Sequence, residues 1–236
     1  MANTAASTLI TRTLDNLSRV SAGTTRSGET LDTRALDWLN RVMYRMARAH
    51  NFRELYTTST PSTAASTYTY TLPTNWKTLS TITVRDTTSP VKLKGMTQRQ
   101  FDLLSPYPAN DTKAKPTQYV LHGNQYDLYP VPDDIYTLQI RYYKWPTIIT
   151  SVATAIDYEP NKDDIIVAGM TGEGFDFLQM YEDGKAWTEK FLVMAKEAIV
   201  LDTRQPDLEP LVEGYDAHTN LTIASVGMPT TGGGNG

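Results

Sequence analysis

Residues that could carry catalysis or bind a metal are few in this chain, and they lie far apart. The three histidines, His50, His122 and His218, fall in three different predicted elements, and none has a second histidine at the spacing of a zinc site. The chain contains no cysteine, which excludes a thiol nucleophile, a disulfide and cysteine-ligated metal. A Gly-x-Ser-x-Gly nucleophile elbow is also missing. The sequence therefore predicts no cofactor and no metal site.

Paired carboxylates are the catalytic arrangement that composition leaves open. Two acidic side chains in one cleft are enough for glycoside hydrolysis, and Glu173, or Glu182 beside Asp183, could supply them. The chain has 26 Asp and Glu residues, so some such pair is available by chance. We therefore predict that the protein is not an enzyme. The alternative function is a cell-wall or carbohydrate-degrading enzyme that uses a pair of acidic residues.

Two further patterns suggest phosphate or nucleic acid but have simpler interpretations. Gly169, Gly172 and Gly174 follow no predicted strand and lack the Lys and Ser/Thr of a phosphate loop, so they predict a softened or bent helix. Several aromatic residues near the middle of the chain could stack on bases, but their place in alternating runs favours packing in a sheet core or an interface. These residues are Tyr129, Tyr142, Tyr143 and Trp145.

Charge is divided unevenly along the chain. Residues 1–56 carry 8 Lys and Arg against 5 Asp and Glu, residues 57–156 carry 9 against 6, and residues 157–236 carry 5 against 15. A solvated acidic face is the simpler explanation. The alternative is that identical subunits pack head to tail, basic flank against acidic flank, which generates a ring if the rotation closes.

Four arginines fall on one predicted helix, where they could bind phosphate, lie in solvent or face another subunit. Asp37 on the same helix and the net charge of −4 favour the last two readings. The arginines are Arg34, Arg41, Arg45 and Arg48.

The clearest pattern of secondary structure lies in residues 116–146. Apolar residues fall there on every second position, which is typical of half-buried strands, and turn residues separate three such runs. We predict a three-stranded antiparallel meander with an aromatic inner face. Alternating runs within residues 67–93 add further strands, and the capping-box spacing of Thr97 and Gln100 predicts a short helix over residues 98–104.

Helical spacing appears at both ends of the chain. The first helix carries Ile10, Leu14 and Leu17 on one face, a stronger one is predicted from Thr33 to about His50, and a third from Ile165 to about Tyr181. In the final helix one set of residues forms the seam expected to pack inward. That set is Trp187, Phe191, Met194, Ala198 and Leu201.

The predicted fold class is α+β. The N- and C-terminal helices form a bundle, an antiparallel β-rich unit is inserted between them, and an extended C-terminal arm follows. The expected divisions are residues 1–57 (N-terminal helices), 58–156 (a small sheet or open barrel), 157–203 (C-terminal helices) and 204–236 (arm). Residues 57–66, rich in Ser, Thr and Ala, are expected to be a linker. No apolar run approaches the roughly 18 residues of a membrane span, and no signal peptide is recognisable.

Three passages resemble the head-to-tail adaptor (connector) proteins of tailed bacteriophages, the group that includes tail tubular protein A of short-tailed phages. The first is ALDWLNRVMYRMARAHNFREL (Ala35–Leu55), the second YTLPTNWKTLSTITV (Tyr70–Val84), and the third PTQYVLHGNQYDLYPVPDDIYTLQIRYYKWP (Pro116–Pro146). The likeness spans about residues 30–205 and includes no catalytic motif.

This resemblance implies a structural virion protein at the head–tail neck, assembled in the host cytoplasm. About twelve copies would form a ring that binds the portal protein and the tail nozzle or tail tube protein, and DNA would pass through the channel without specific binding. Members of this group dock on the portal through a terminal extension. By position that extension is the chain from Gln205 onward, with Leu211, Tyr215, Leu221 and Ile223 as candidate portal-binding residues.

Overall fold

Helices lie at both ends of the described chain. The computed structural model describes residues 3–18 and 31–203. Its helices are α1 (Ala6–Ser18), α2 (Leu31–Ala49), α3 (Gln98–Leu104), α4 (Asp163–Phe177) and α5 (Tyr181–Thr203). The predicted short helix is confirmed together with its capping box, in which Thr97 Oγ1 accepts from the Gln100 amide and Gln100 Oε1 accepts from the Thr97 amide.

Eight strands between α2 and α4 form two four-stranded sheets. The strands are β1 (Tyr56–Ser59), β2 (Thr69–Thr71), β3 (Trp76–Arg85), β4 (Val91–Lys92), β5 (Lys94–Gly95), β6 (Gln118–His122), β7 (Gln125–Tyr129) and β8 (Thr137–Lys144). One sheet has the order β1-β8-β3-β4 and the other β2-β7-β6-β5. All pairs are antiparallel except β5 with β6. The predicted α+β class, with a β unit inserted between terminal helices, is confirmed.

The predicted three-stranded meander is wrong in its third strand. Strands β6 and β7 form the expected hairpin, but β8 leaves that sheet and pairs with β3 and β1 in the other one. Leu138 and Ile140 of β8 meet Tyr126 and Leu128 of β7 in one buried cluster shared by both sheets. A period of two shows that a strand buries one face, but it does not identify the neighbouring strand.

Part of the predicted linker is a strand. Tyr56–Ser59 pairs antiparallel with β8, and Thr57 lies opposite Tyr142. Serine and threonine suggest a linker by composition, yet threonine is also a good strand former when a sheet edge is available. Here the edge of β8 is available, and residues 56–59 therefore form a strand on it.

Helix α4 is the centre of the helical core, because 11 of its 15 residues are buried. It runs without interruption through Gly169, Gly172 and Gly174. A Cβ at Gly169 would lie 2.9 Å from Cγ1 of Val42, and one at Gly174 would lie 2.6 Å from Cδ1 of Leu17. These glycines therefore allow α1, α2 and α5 to approach α4 closely.

The helical core and the β unit are joined through β3 and the end of α2. Lys77 Nζ donates to the carbonyl oxygen of Ala47 and, at 2.7 Å, to Asn51 Oδ1. Trp145, just after β8, stacks on Tyr44 of α2 with ring centroids 5.5 Å apart. The start of β3 and the end of β8 are thus fixed against α2 and the residues that follow it.

Candidate interaction surface

Positive charge is concentrated along the exposed side of α2. Arg41, Arg45 and Arg48 line an open groove of about 700 Å³, whose other wall includes the exposed Ile148. The remaining lining residues are Asp37, Asn40, Tyr44 and Glu173. Helical spacing explains the arrangement, since positions three and four apart share one face of a helix.

Glu173 of α4 neutralises much of this charge. Its Oε1 accepts from Arg45 Nη2 at 2.7 Å, and its Oε2 lies 3.5 Å from Arg41 Nη1. Aromatic rings engage two of the guanidinium groups, with Arg45 5.6 Å from the Phe191 ring centroid and Arg34 5.4 Å from that of Phe177. A nucleic-acid phosphate at Arg41 or Arg45 would have to compete with Glu173. The geometry favours the solvated or subunit-facing reading of the arginines.

The predicted acidic candidates do not come together in a cleft. Glu173 lines the arginine groove, whereas Glu182 and Asp183 lie exposed in the first turn of α5 and do not line it. A glycosidase pair needs two carboxyls facing each other across a substrate. Glu173 instead forms ion pairs with Arg41 and Arg45.

The two described histidines, His50 and His122, lie in separate places. His50 Nε2 lies 2.8 Å from Asp202 Oδ2, and His122 Nδ1 lies 3.6 Å from Asp127 Oδ2. His218 is outside the described residues. Among residues 3–18 and 31–203, no group of three or more acidic or histidine side chains is arranged to hold a metal ion.

The aromatic residues considered for base stacking pack within the protein. Tyr142 is 6% exposed and its hydroxyl lies 3.1 Å from Asn75 Oδ1. Tyr143 packs on Tyr56 and Tyr129 on Phe101, with ring centroids 5.1 and 6.5 Å apart. The prediction that these rings serve packing is confirmed.

A buried ion pair beside the helical core was missed by the sequence reasoning. Lys162 Nζ donates to Glu54 Oε1, and the two side chains are 7% and 5% exposed. The ammonium group also lies 5.0 Å from the ring centroid of Phe52. These residues are 108 positions apart, and no local pattern pairs them.

Asp202 is a second missed anchor, at the end of α5. Its carboxylate is almost buried and contacts both His50, at 2.8 Å, and Arg53 Nε, at 3.1 Å. It fixes the last turn of α5 to the segment that follows α2. The end of the described chain therefore has a defined position.

Two further carboxyls, the half-buried Asp157 and the buried Asp163, have pKa values shifted in opposite directions. Burial alone would raise the pKa of Asp157, but hydrogen bonds from Lys144 Nζ and the Thr147 amide, each 2.6 Å long, outweigh it and hold that pKa below its usual value. Burial raises the pKa of Asp163, and the hydrogen bond from Thr4 Oγ1 opposes this only in part. Both carboxyls have structural partners and neither faces a groove described above.

The predicted inward seam of α5 is correct in its middle and wrong at its end. Phe191 is buried, and Trp187, Met194 and Ala198 pack partly against the core, but Leu201 is 63% exposed. Helix α5 extends beyond α4, the helix on which it packs, because α5 has 23 residues and α4 has 15.

The candidate portal-binding residues lie outside the described residues. They are Leu211, Tyr215, Leu221 and Ile223. No described helix is long and apolar enough to cross a membrane.

Comparison with known proteins identifies the family. The family model of the SU10 adaptor protein matches residues 4–211, which include every described helix and strand. No curated protein matches the chain. The matched range covers most of the 236 residues, and this chain therefore belongs to the SU10 adaptor protein family of phage structural adaptors.

Proposed function

We propose that this chain forms a ring of about twelve copies that connects the portal vertex of a phage capsid to the tail and leaves a channel for DNA. The observation that carries the proposal is the family match over residues 4–211. Pairing of Glu173 with Arg41 and Arg45 supports the idea that DNA passes without specific binding, because cations already engaged by the protein release few counterions from phosphates.

The portal and a tail nozzle or tail tube protein are the proposed partners, and the family match supports a location at the virion neck. We propose that residues 204–236 form the portal-binding arm. Its anchors would be Leu211, Tyr215, Leu221 and Ile223. Residues 1–57 and 157–203 then form the body of each subunit, and residues 58–156 form its β unit. We also propose that the chain belongs to the tail tubular protein A group and that it is assembled in the host cytoplasm.

Electron microscopy of the purified protein, alone and mixed with the portal protein of the same phage, tests this function. We expect rings of about twelve copies seated on the portal, with an open central channel. A protein that stays monomeric and unbound beside an intact portal contradicts the proposal.

The enzyme alternative is tested in parallel with purified peptidoglycan. We expect no cleavage by the wild-type protein. Cleavage that disappears in Glu173→Gln or Glu182→Gln, with the fold unchanged by circular dichroism, would establish the enzyme and overturn the adaptor as the main function.

A further inference from the structure

One sheet of the β unit has a face that points away from its core. In the sheet with the order β1-β8-β3-β4, Ile82, Val84 and Ile140 point into the buried cluster shared with the other sheet. Side chains alternate along a strand, and residues directly opposite each other share a face, so the register gives the opposite face, here called the outward face. Its residues are Tyr56 and Thr58 of β1, Thr78, Thr81, Thr83 and Arg85 of β3, Lys92 of β4, and Thr137, Gln139, Arg141 and Tyr143 of β8. All of them are exposed or half-buried.

The outward face carries three cations, Arg85, Lys92 and Arg141, and no acidic side chain. Among residues 3–18 and 31–203, none of these cations forms an ion pair. Arg85 Nε donates to Oε1 of the neutral Gln139 at 2.7 Å, which leaves the charge of the guanidinium uncompensated. The arginine groove of α2 differs, because Glu173 neutralises part of its charge. The outward face is therefore the surface on which positive charge is available to an anionic partner.

The side chains around these cations favour phosphate over an acidic protein. Arginine, lysine and threonine are the kinds of side chain that bond the phosphates of nucleic acids, and five of the residues on the outward face are threonines. A protein partner usually covers an apolar centre, but the outward face has no aliphatic side chain. Its two aromatic residues, Tyr56 and Tyr143, pack on each other with ring centroids 5.1 Å apart. Since these rings contact each other, stacking on the bases of a single strand is disfavoured, and a duplex backbone fits better.

We propose that the outward face binds the phosphate backbone of duplex DNA through Arg85, Lys92 and Arg141. Phosphate contacts carry no sequence information, so DNA held in this way can still slide past the protein. Three cations make a weak contact for one copy, and a ring would repeat that contact around the DNA. The inference rests on the proposed function for this repetition, whereas binding by a single copy does not require the ring.

The salt dependence of DNA binding tests this contact. The full chain, without portal, is titrated into a labelled duplex of about 20 base pairs at salt concentrations from about 20 to 150 mM, and fluorescence anisotropy gives the dissociation constant. We expect the logarithm of that constant to rise with the logarithm of the salt concentration with a slope of about 3 per copy, since each neutralised phosphate contributes about 0.9. Arg85→Gln, Lys92→Gln and Arg141→Gln each remove one cation. Each should lower the slope by about one and raise the dissociation constant at about 50 mM salt roughly threefold to tenfold.

Arg99→Gln is the matched control, because Arg99 is an exposed arginine of α3, a helix that packs on the other sheet through Phe101. It removes the same charge and should leave the dissociation constant within about twofold of wild type. A wild-type protein that does not bind the duplex at about 1 mM and low salt overturns the proposal. So do variants of the outward face that bind like Arg99→Gln, or a polyglutamate peptide that binds as tightly as DNA, which would identify an acidic protein as the partner. Rings on the portal without DNA binding would overturn this contact alone, and DNA binding without rings would overturn the proposed function alone.

Discussion

The buried pair of Lys162 and Glu54 gives the sharpest expectation for a single residue. Lys162→Met leaves the Glu54 carboxylate buried without its cation, and we expect a loss of about 3–5 kcal/mol in the free energy of unfolding. The double variant K162M/E54L removes both charges and should recover most of that loss, since an apolar pair of similar volume often replaces a buried ion pair without cost. Urea denaturation measures both.

The exposed pair of Arg12 and Asp164 is the control for that experiment. These side chains are 45% and 68% exposed, and Arg12→Met should cost less than about 1 kcal/mol. If Lys162→Met is as mild as Arg12→Met, the Lys162–Glu54 pair is hydrated and does not contribute as its burial indicates.

Asp157 and Asp163 should give opposite pH dependence. The pKa of Asp157 is lower in the folded protein than the unfolded value of about 3.9, so its contribution is present above about pH 4 and is lost as the pH falls through the folded pKa. The pKa of Asp163 is raised, so its contribution is present below about pH 4 and is lost as the pH rises through the folded pKa.

Unfolding free energies of Asp157→Asn and Asp163→Asn, measured from about pH 3 to pH 7, check these signs. The deficit of Asp157→Asn relative to wild type should shrink on acidification. Asp163→Asn should improve relative to wild type as the pH rises above about 4. Parallel curves for both variants contradict the assigned shifts.

At the scale of elements, the close packing of α4 depends on glycine. Gly169→Ala improves intrinsic helix propensity by about 1 kcal/mol, yet its Cβ would lie 2.9 Å from Val42 Cγ1 and 3.0 Å from Phe191 Cδ2. Val42 is β-branched and buried, so it cannot turn away easily. We expect a net loss of about 1–3 kcal/mol in the free energy of unfolding.

A double-mutant cycle with Val42→Ala isolates the cause. Val42→Ala makes room, so the two changes together should cost clearly less than the sum of the single changes. Gly95→Ala is the control glycine, because its Cβ would meet the Tyr119 hydroxyl at an ordinary 3.4 Å, and it should change stability by less than about 0.5 kcal/mol. Additive costs at Gly169 and Val42 rule out the steric explanation.

At the scale of the whole molecule, truncation after Thr203 separates folding from docking. The two hydrophobic clusters and the Asp202 contacts all lie within the described residues. We expect a thermal midpoint within a few degrees of wild type, together with loss of portal binding in co-sedimentation. A matched variant that keeps residues 204–236 but changes Leu211 and Tyr215 to Ser should lose binding as well.

Portal binding by the truncated chain would show that the docking surface lies within residues 1–203. Loss of folding on truncation would show instead that residues 204–236 contribute to the core. The two readouts, thermal midpoint and co-sedimentation, keep these outcomes distinct.

The sequence by itself determined the types of most elements, the inserted order of helices and strands, and the likeness to phage adaptors. Periods of 3.6 and 2 are local properties, so α2, α3 and the β6–β7 hairpin follow from spacing and capping residues alone. The resemblance of three separate passages to phage adaptors was likewise visible without any knowledge of tertiary contacts.

Only the tertiary structure decided which elements meet. It placed β8 in the other sheet, made Tyr56–Ser59 an edge strand and made the glycines of α4 positions of close helix contact. It also paired Lys162 with Glu54 and Glu173 with the arginines of α2. The physical reason is common to all of these. Burial of a face or charge requires a partner, but the partner is distant in the sequence and is selected by the packing of the whole chain.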